Sequence, residues 1–477
     1  MQVVILTTDT NPLRQVRYLG PYQIAWWLRT NGYSTQVLDF LYFMTSEQRI
    51  ALFKKYITTE TKIVGFSPFV MLDSPQIVSN GEGPIFDILN EIKDNFPWVK
   101  IVIGGQFVRG FLWYGHKRIP FKVDAVFKDE SENSFLEYCD HIFKNEPAPV
   151  FQIGSGNKVY HPSSVKTFDI QTCTMKFAEN DFILPGESLP LELSRGCIFK
   201  CKFCQYPNIG KDKDDFNKSM DCIRESLISN YNLFGTTRYH ITDDTLNAHR
   251  LRTQKFFEMT KDLPFKIEYI GYARLDLINI WPEQFESLPE SGLVSCHFGI
   301  ESFDPISCNM IGKGWGAKNY KPSLTQIGEV WGDDVIVRCS MIAGLGQETE
   351  QDWDNATEWY FNSRVHDFHY NKLYLSPTLA MSDFEREPEK HGYRFVGGKW
   401  ETDFMTEDRA GAWCNKFKQR TEKHRVPSVW NLSAIRNFGF SYNDVLNTTY
   451  YEMNQRIIKE NLNEQLVTAY LTRLMNY

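Results

Sequence analysis

The chain has 477 residues, 42% hydrophobic and 23% charged, with a formal net charge of −7. That balance excludes a globally disordered chain, and the length calls for two or three domains rather than one core. The acidic excess leaves no surplus of Lys and Arg to neutralise phosphates, which speaks against a nucleic-acid partner. The first residues, MQVVILTTDTNPLRQ, lack the basic start, apolar stretch and cleavage site of a secretory signal. No run of apolar residues is long enough for a membrane span. Ten cysteines without a signal suggest a reducing, cytoplasmic setting, where a tight cluster points to metal before disulfide.

Residues 1–150 alternate short apolar runs with helical patterns. VVILTT (3–8), TQVLDF (35–40), KIVGFSPF (62–69), VKIVIGG (99–105) and VDAVFK (123–128) predict strands. GPYQIAWWLRTNGY (20–33) predicts a helix closed by Asn31-Gly32. PIFDILNEIKDNFP and SENSFLEYCDHIFK (131–144) predict two more. This rhythm implies an N-terminal Rossmann or flavodoxin-like parallel sheet, whose ligands sit at the carboxyl ends of its strands. At 151–185 the rhythm is lost, as in a linker or wrapping segment.

A second alternating series occupies 186–380. Its strand candidates are PLELSRG (190–196), RYHITDD (238–244), KIEYIGYARLD (266–276), VSCHFGIES (294–302), VIVRCSMIAG (335–344) and FHYNKLYLS (368–376). Helical stretches such as CIRESLISNYNLF and EQDWDNATEWYFN separate them. Six such units fit a partial (β/α)6 TIM-like barrel with its chemistry at the carboxyl ends of the strands. Residues 381–477 are aromatic-rich and mostly helical in pattern, a C-terminal region placed to cover a substrate. Their Trp400, Phe404, Trp413 and Trp430 suit either a pocket lining or an ordinary core.

The strongest local signal is LELSRGCIFKCKFCQYP (191–207), with Cys197, Cys201 and Cys204 spaced C-x3-C-x2-C. Three soft thiolates on one loop suit three corners of an iron–sulfur cluster and leave a fourth iron open. A structural zinc site would want four ligands, usually from paired knuckles, and such a zinc-stabilised binding protein is the reading from another class.

At these residues the chain resembles the radical S-adenosylmethionine (SAM) superfamily, whose signature has this spacing and an aromatic residue before the last cysteine, here Phe203. The resemblance implies that the three cysteines hold a [4Fe–4S] cluster and that SAM chelates the fourth iron. Reductive cleavage of SAM to a 5′-deoxyadenosyl radical follows, with the electron coming from a donor such as flavodoxin or ferredoxin. Phe203 then serves adenine, although core packing also explains it. Asp243 or Asp244 in ITDDT is implied for SAM's ammonium group, or else caps a helix. Glu301 and Ser302 in FGIESFDP resemble the family's GIES motif and would approach the ribose or methionine end; an ion pair is the other use of Glu301. IAGLGQETEQDW resembles GLPGET, with Gly346 and Gln347 replacing Pro and Gly, and Arg338 on the same strand reaches for SAM's carboxylate or pairs with an acid. Arg274, in GYARLD, falls in a common third-strand pattern.

A sheet domain ahead of LELSRGC resembles the cobalamin-binding subgroup of that superfamily. Ser67 in GFS and Gly104 and Gly105 in IGG would let the nucleotide tail of cobalamin approach the backbone. No histidine precedes His116, so a D-x-H-x-x-G cobalt ligand is missing, and KDESENSF replaces both glycines of a GEGE pattern through Asp129 and Ser131. The resemblance implies methyl transfer to an unactivated carbon or to phosphorus of a small molecule or peptide. With a degenerate first domain, a cobalamin-independent oxidation, cyclisation or rearrangement takes its place.

Overall fold

The structure is a computed structural model; it describes residues 1–8, 16–67, 85–105, 123–128, 130–148, 152–154, 157–160, 168–204, 216–313, 317–376, 382–422, 426 and 429–477. The chain forms two compact units. The first comprises 1–190, 225–236 and 457–477, and the second 191–224 and 237–456.

Unit 1 is built on strands β1 (Val3–Leu6), β2 (Thr35–Leu38), β3 (Ile63–Phe66), β4 (Lys100–Gly105), β5 (Ala125–Lys128), β6 (Gln152–Gly154) and β7 (Asn157–Tyr160). They form one sheet in the order β2-β1-β3-β4-β5-β7-β6. All neighbours are parallel except β6 with β7. The first five strands have the flavodoxin-like order, with its switch point between β1 and β3. β1, β2 and β3 are buried throughout, as parallel strands covered on both faces must be. The helices obey their sequence patterns. Leu19–Thr30 buries Tyr22, Ala25 and Leu28, and ends at Asn31 with Gly32 at φ +87°. Phe86–Asn95 buries Phe86, Ile88, Leu89 and Ile92.

Two segments differ from expectation. The stretch from 151, expected as a linker, contributes β6 and β7 to the sheet. The last helix, Leu462–Asn476, belongs to unit 1 and not to a separate covering region. Arg17, fully buried, explains the second tie. Its guanidinium donates to Glu187 at 2.7 and 3.2 Å, to the carbonyls of Asp181 and Phe182, and to Tyr22. The rings of Phe40 and Tyr470 lie 5.0 and 5.3 Å from it. A buried charge is tolerable only when so enclosed, and the enclosure needs residues from 17 to 470.

Unit 2 carries the second sheet: β8 (Leu189–Leu191, within which the chain passes from unit 1), β9 (Arg238–Ile241), β10 (Glu268–Ala273), β11 (Leu293–Glu301), β12 (Ile336–Ala343) and β13 (Asp367–Lys372). Their spatial order is their chain order, and the pairings from β9 to β13 are parallel. This is the expected six-stranded barrel. β8 is shorter than the seven residues its sequence suggests, because Leu193 and Ser194 turn away to be held by Asp243. Beyond β13 a small hairpin (Arg394–Val396 with Lys399–Glu401) leads to the helix Glu407–Thr421. Trp400 is buried, and Trp413 stacks on Phe417 with centroids 5.4 Å apart, so both are core. Phe404 is 45% exposed, and the Trp430 side chain lies outside the described residues.

Candidate functional site

The cysteine loop leaves β8 along a polar frame. Asp243, two residues after β9, accepts from Leu193 N at 2.7 Å, Ser194 Oγ at 2.5 Å and Arg252 Nη2 at 2.8 Å. It is 2% exposed, and burial raises its carboxyl group against the pull of Arg252. Glu192 lies between Arg195 (2.9 Å) and Lys218 (3.3 Å). Burial alone would raise its pKa, but the two cations outweigh burial and lower it to about 2. Gly196, at φ +83°, supplies a left-handed turn directly before Cys197.

Cys197, Cys201 and Cys204 follow, all half-buried and none in a disulfide, with Phe203 half-buried between the last two. Cys197 Sγ lies 3.8 Å from Thr245 Oγ1. Cys201 Sγ accepts from Arg274 Nη1 at 3.6 Å. Between the thiols, Lys202 N donates to Ile311 O and Lys202 Nζ pairs with Asp383 at 2.8 Å. The loop is thus tied to the ends of β9 and β10 and to the chain after β11 and β13.

Of the other sequence candidates, Asp244 is half-buried beside Asp243. Glu301 ends β11 at φ +67° and pairs with Lys313 at 2.9 Å. A non-glycine residue stays at such a φ only where its surroundings fix it. A Cβ at Gly299 would sit 2.5 Å from Glu301 Oε1, so the pair needs that glycine. Ser302 Oγ donates to Glu348 Oε1 at 2.9 Å, and burial raises Glu348 from 4.5 to about 8. Arg338 donates to Asp367 at 2.9 and 2.5 Å and lies 3.4 Å from His297 Nδ1. Burial, with Arg338 adding to it, keeps His297 well below its usual range, so it is a neutral imidazole near pH 7.

In this structure Glu301 is thus ion-paired with Lys313, Arg338 with Asp367, and Asp243 with Arg252. Sequence reasoning missed Thr245, Arg252, Lys313, Glu348 and Asp367. Only Glu348 carried a signal, at the end of the GLPGET-like turn. That turn is tight: Gly344 and Gly346 lie at φ +110° and +56°, and a Cβ at Gly346 would meet Ser307 Oγ at 2.6 Å.

Among the described residues no three His, Cys, Asp or Glu side chains are grouped to hold a single metal ion. The donor set itself fits a cluster that spreads three thiolates over three irons: three unbridged thiols on one loop, with a guanidinium N–H on one sulfur.

In unit 1, Ser67 and Gly105 meet at the carboxyl ends of β3 and β4. Gly105 lies at φ +103°, and a Cβ there would stand 3.3 Å from Ser67 Oγ. Gly104 differs, since a Cβ there makes an ordinary contact with Phe127 at 3.5 Å. Gly105 is therefore held to glycine by its backbone and by Ser67, whereas Gly104 is not. Ser131 opens the helix Glu132–Lys144 as its N-cap residue, while Asp129 and His116 lie outside the described residues.

The radical SAM superfamily profile matches residues 191–360. An uncharacterized methyltransferase of Pyrococcus horikoshii is 25% identical over 246 residues, 48% of this chain and 50% of the relative. The chain thus spans about half the length of that curated relative. Among solved structures, the radical SAM methyltransferase TsrM of Kitasatospora setae, with tryptophan substrate and a SAM analogue, superposes with TM-score 0.60 at 13% identity, covering 83% of this chain and 78% of that one. The cobalamin-dependent SAM radical enzyme OxsB, with aqua-cobalamin, superposes with TM-score 0.58 at 14% identity, covering 90% and 63%. Residues 191–360 thus match the radical SAM family model, and the chain takes the fold seen in TsrM and OxsB.

Proposed function

We propose that the protein is a radical SAM enzyme, a cobalamin-dependent methyltransferase acting on an unactivated carbon or a phosphorus of a small molecule or peptide. The observation that carries this reading is the framed loop of three half-buried cysteines, none in a disulfide, at the carboxyl edge of the six-stranded barrel. Cys197, Cys201 and Cys204 are the cluster ligands in this reading, with SAM on the open iron. When bound, the cluster supplies the electron that splits SAM to methionine and a 5′-deoxyadenosyl radical, and cobalamin carries the methyl group.

The chain's own residues then orient and exclude. Phe203 offers a ring to adenine, and Asp243 or Asp244, side by side after β9, accepts from SAM's ammonium group. Glu301 with Lys313 and Ser302 with Glu348 fix the floor on which the ribose or methionine end rests. Arg338, held by Asp367, presents a fixed cation to a carboxylate. In unit 1, Ser67 and Gly105 clear backbone for the nucleotide tail of cobalamin. A low-potential donor of the flavodoxin or ferredoxin class supplies the electron. The setting is cytoplasmic, in keeping with ten cysteines outside any disulfide; no helix among the described residues is long and apolar enough to cross a membrane.

Anaerobic reconstitution with iron and sulfide tests the reading. A reducible cluster signal that changes when SAM is added is expected, with stoichiometric retention of hydroxocobalamin. One equivalent of zinc with no such signal contradicts the enzyme assignment, and complete loss of cobalamin on washing removes the methyltransferase. Cys201→Ala is expected to abolish SAM cleavage, measured as 5′-deoxyadenosine.

A further inference from the structure

Arg274 follows β10 directly and is 7% exposed. Its backbone is clamped on both sides by one amide: Asn247 Oδ1 accepts from Arg274 N at 2.9 Å, and Asn247 Nδ2 donates to Arg274 O at 3.0 Å. Asn247 is itself held by Gln284 at 3.0 Å. The guanidinium is fixed by Asp276, which accepts from Nε at 3.0 Å and Nη2 at 2.6 Å. Two further contacts go to the cysteine loop. Nη1 donates to Cys201 Sγ at 3.6 Å, and the guanidinium carbon sits 4.0 Å over the ring of Phe199. A structural ion pair needs only the Asp276 fork. One further N–H, on Nη1, is spent on a sulfur, and that direction is what the fork and the amide clamp impose.

We infer that Arg274 is a positioning residue of the cluster, which it serves by hydrogen-bonding the Cys201 sulfur and so setting the cluster's reduction potential; this rests on the iron–sulfur reading above. Reduction brings one electron from the low-potential donor and no proton, so the site gains one negative charge. A fixed cation and an N–H on a ligand sulfur favour the more negative state, and therefore raise the potential. Asp276 partly offsets that charge while aiming it. The pair sets how easily the cluster is reduced, and Phe199 under the guanidinium holds the loop to that geometry.

Potentiometric titration of the reconstituted full chain, followed by electron paramagnetic resonance, tests this with two variants expected to move in opposite directions. Arg274→Gln removes the cation. At the wild-type midpoint its ratio of reduced to oxidised cluster is expected to fall about tenfold, which is a shift of about 59 mV for one electron. Asp276→Asn leaves the cation uncompensated, and its ratio is expected to rise. Iron per chain and circular dichroism are recorded beside each. A full cluster with an unmoved midpoint in Arg274→Gln overturns the inference. If that variant holds no cluster, an unmoved or lowered midpoint in Asp276→Asn overturns it. A wild-type chain that takes up no iron–sulfur cluster overturns the proposed function and this inference together, whereas a normal wild-type cluster with unmoved variants overturns this inference alone.

Discussion

The barrel and the β3–β4 part of the N-terminal sheet finish their carboxyl ends in opposite ways. In the barrel the edge is framed by buried charge: Asp243 with Arg252, Arg274 with Asp276, Glu301 with Lys313, Arg338 with Asp367. Where β3 and β4 of the N-terminal sheet end, the edge is made by small residues, with Ser67 beside Gly105 and a left-handed backbone. Paired charges with fixed geometry suit a small, highly charged ligand, whose placement must be set to fractions of an ångström. Small residues suit a bulky ligand that needs room near the backbone. If the comparison holds, removing a framing charge in the barrel should cost both fold and cluster. Filling the small-residue edge should cost one ligand and little else.

The largest effect is expected at Asp243. Asp243→Ala leaves Leu193 N and Ser194 Oγ without their acceptor and strands the buried Arg252 guanidinium beside Asn217 alone. Breaking a buried pair in this way costs about 3–5 kcal/mol. Urea unfolding should show a lower midpoint of that size. Iron uptake should fall as well, since the same carboxylate anchors the start of the cysteine loop. Asp243→Asn, which keeps the shape and an acceptor oxygen, should recover part of both. Normal iron uptake in Asp243→Ala would separate the frame from the loop and break the comparison on the barrel side.

Why the sequence revealed the elements better than the frame follows from the distances along the chain. The strands of both sheets other than β6 and β7, and the helix Phe86–Asn95, were readable because burial imposes a period on adjacent residues. The cysteine triad was readable because its spacing is local. β6 and β7 were missed because three- and four-residue strands at the end of a sheet carry no period. The helix Leu462–Asn476 gave no hint of its unit, since Tyr470 meets Asp39, 431 residues away. The frame was legible only as candidate charges. Asp243 read as a ligand contact or a helix cap until its partners at 193, 194 and 252 were seen, and Arg338 as a carboxylate contact or half of an ion pair until Asp367 was found 29 residues on. A sequence shows which charges sit at strand ends but not which of them are already paired.

Glu348 sharpens the same point through pH, with a smaller effect. Its carboxyl group is raised from 4.5 to about 8, by burial first and against the hydrogen bond from Ser302. A raised folded-state pKa means the folded protein binds the proton more tightly than the unfolded chain. The stability it contributes is therefore complete below about pH 4.5 and is lost as pH rises through about 8. Glu348→Gln keeps an acceptor for Ser302 without the charge. Its stability should match the wild type near pH 5 and exceed it near pH 9, on the order of 2 kcal/mol once relaxation and water entry are allowed for. Parallel curves of unfolding free energy against pH for the two proteins would show that Glu348 is ionised in the fold and belongs with the framing charges.

The smallest effect on stability, and the one that tests the other sheet, comes from its adjacent glycines. Gly105→Ala forces a side chain into φ +103° and places Cβ 3.3 Å from Ser67 Oγ, whereas Gly104→Ala makes only an ordinary contact at 3.5 Å. The first should cost roughly 1–2 kcal/mol and the second less than about 1 kcal/mol. The informative readout is retention of hydroxocobalamin after desalting. Gly105→Ala should lose it while keeping its iron and its SAM-dependent cluster signal, and Gly104→Ala should retain both. Equal retention by the two variants would mean that the edge where β3 and β4 end is shaped by the turn alone. A joint loss of cobalamin and iron would mean that the two edges are not independent, and the contrast between a charged frame and a cleared backbone would then fail at its second half.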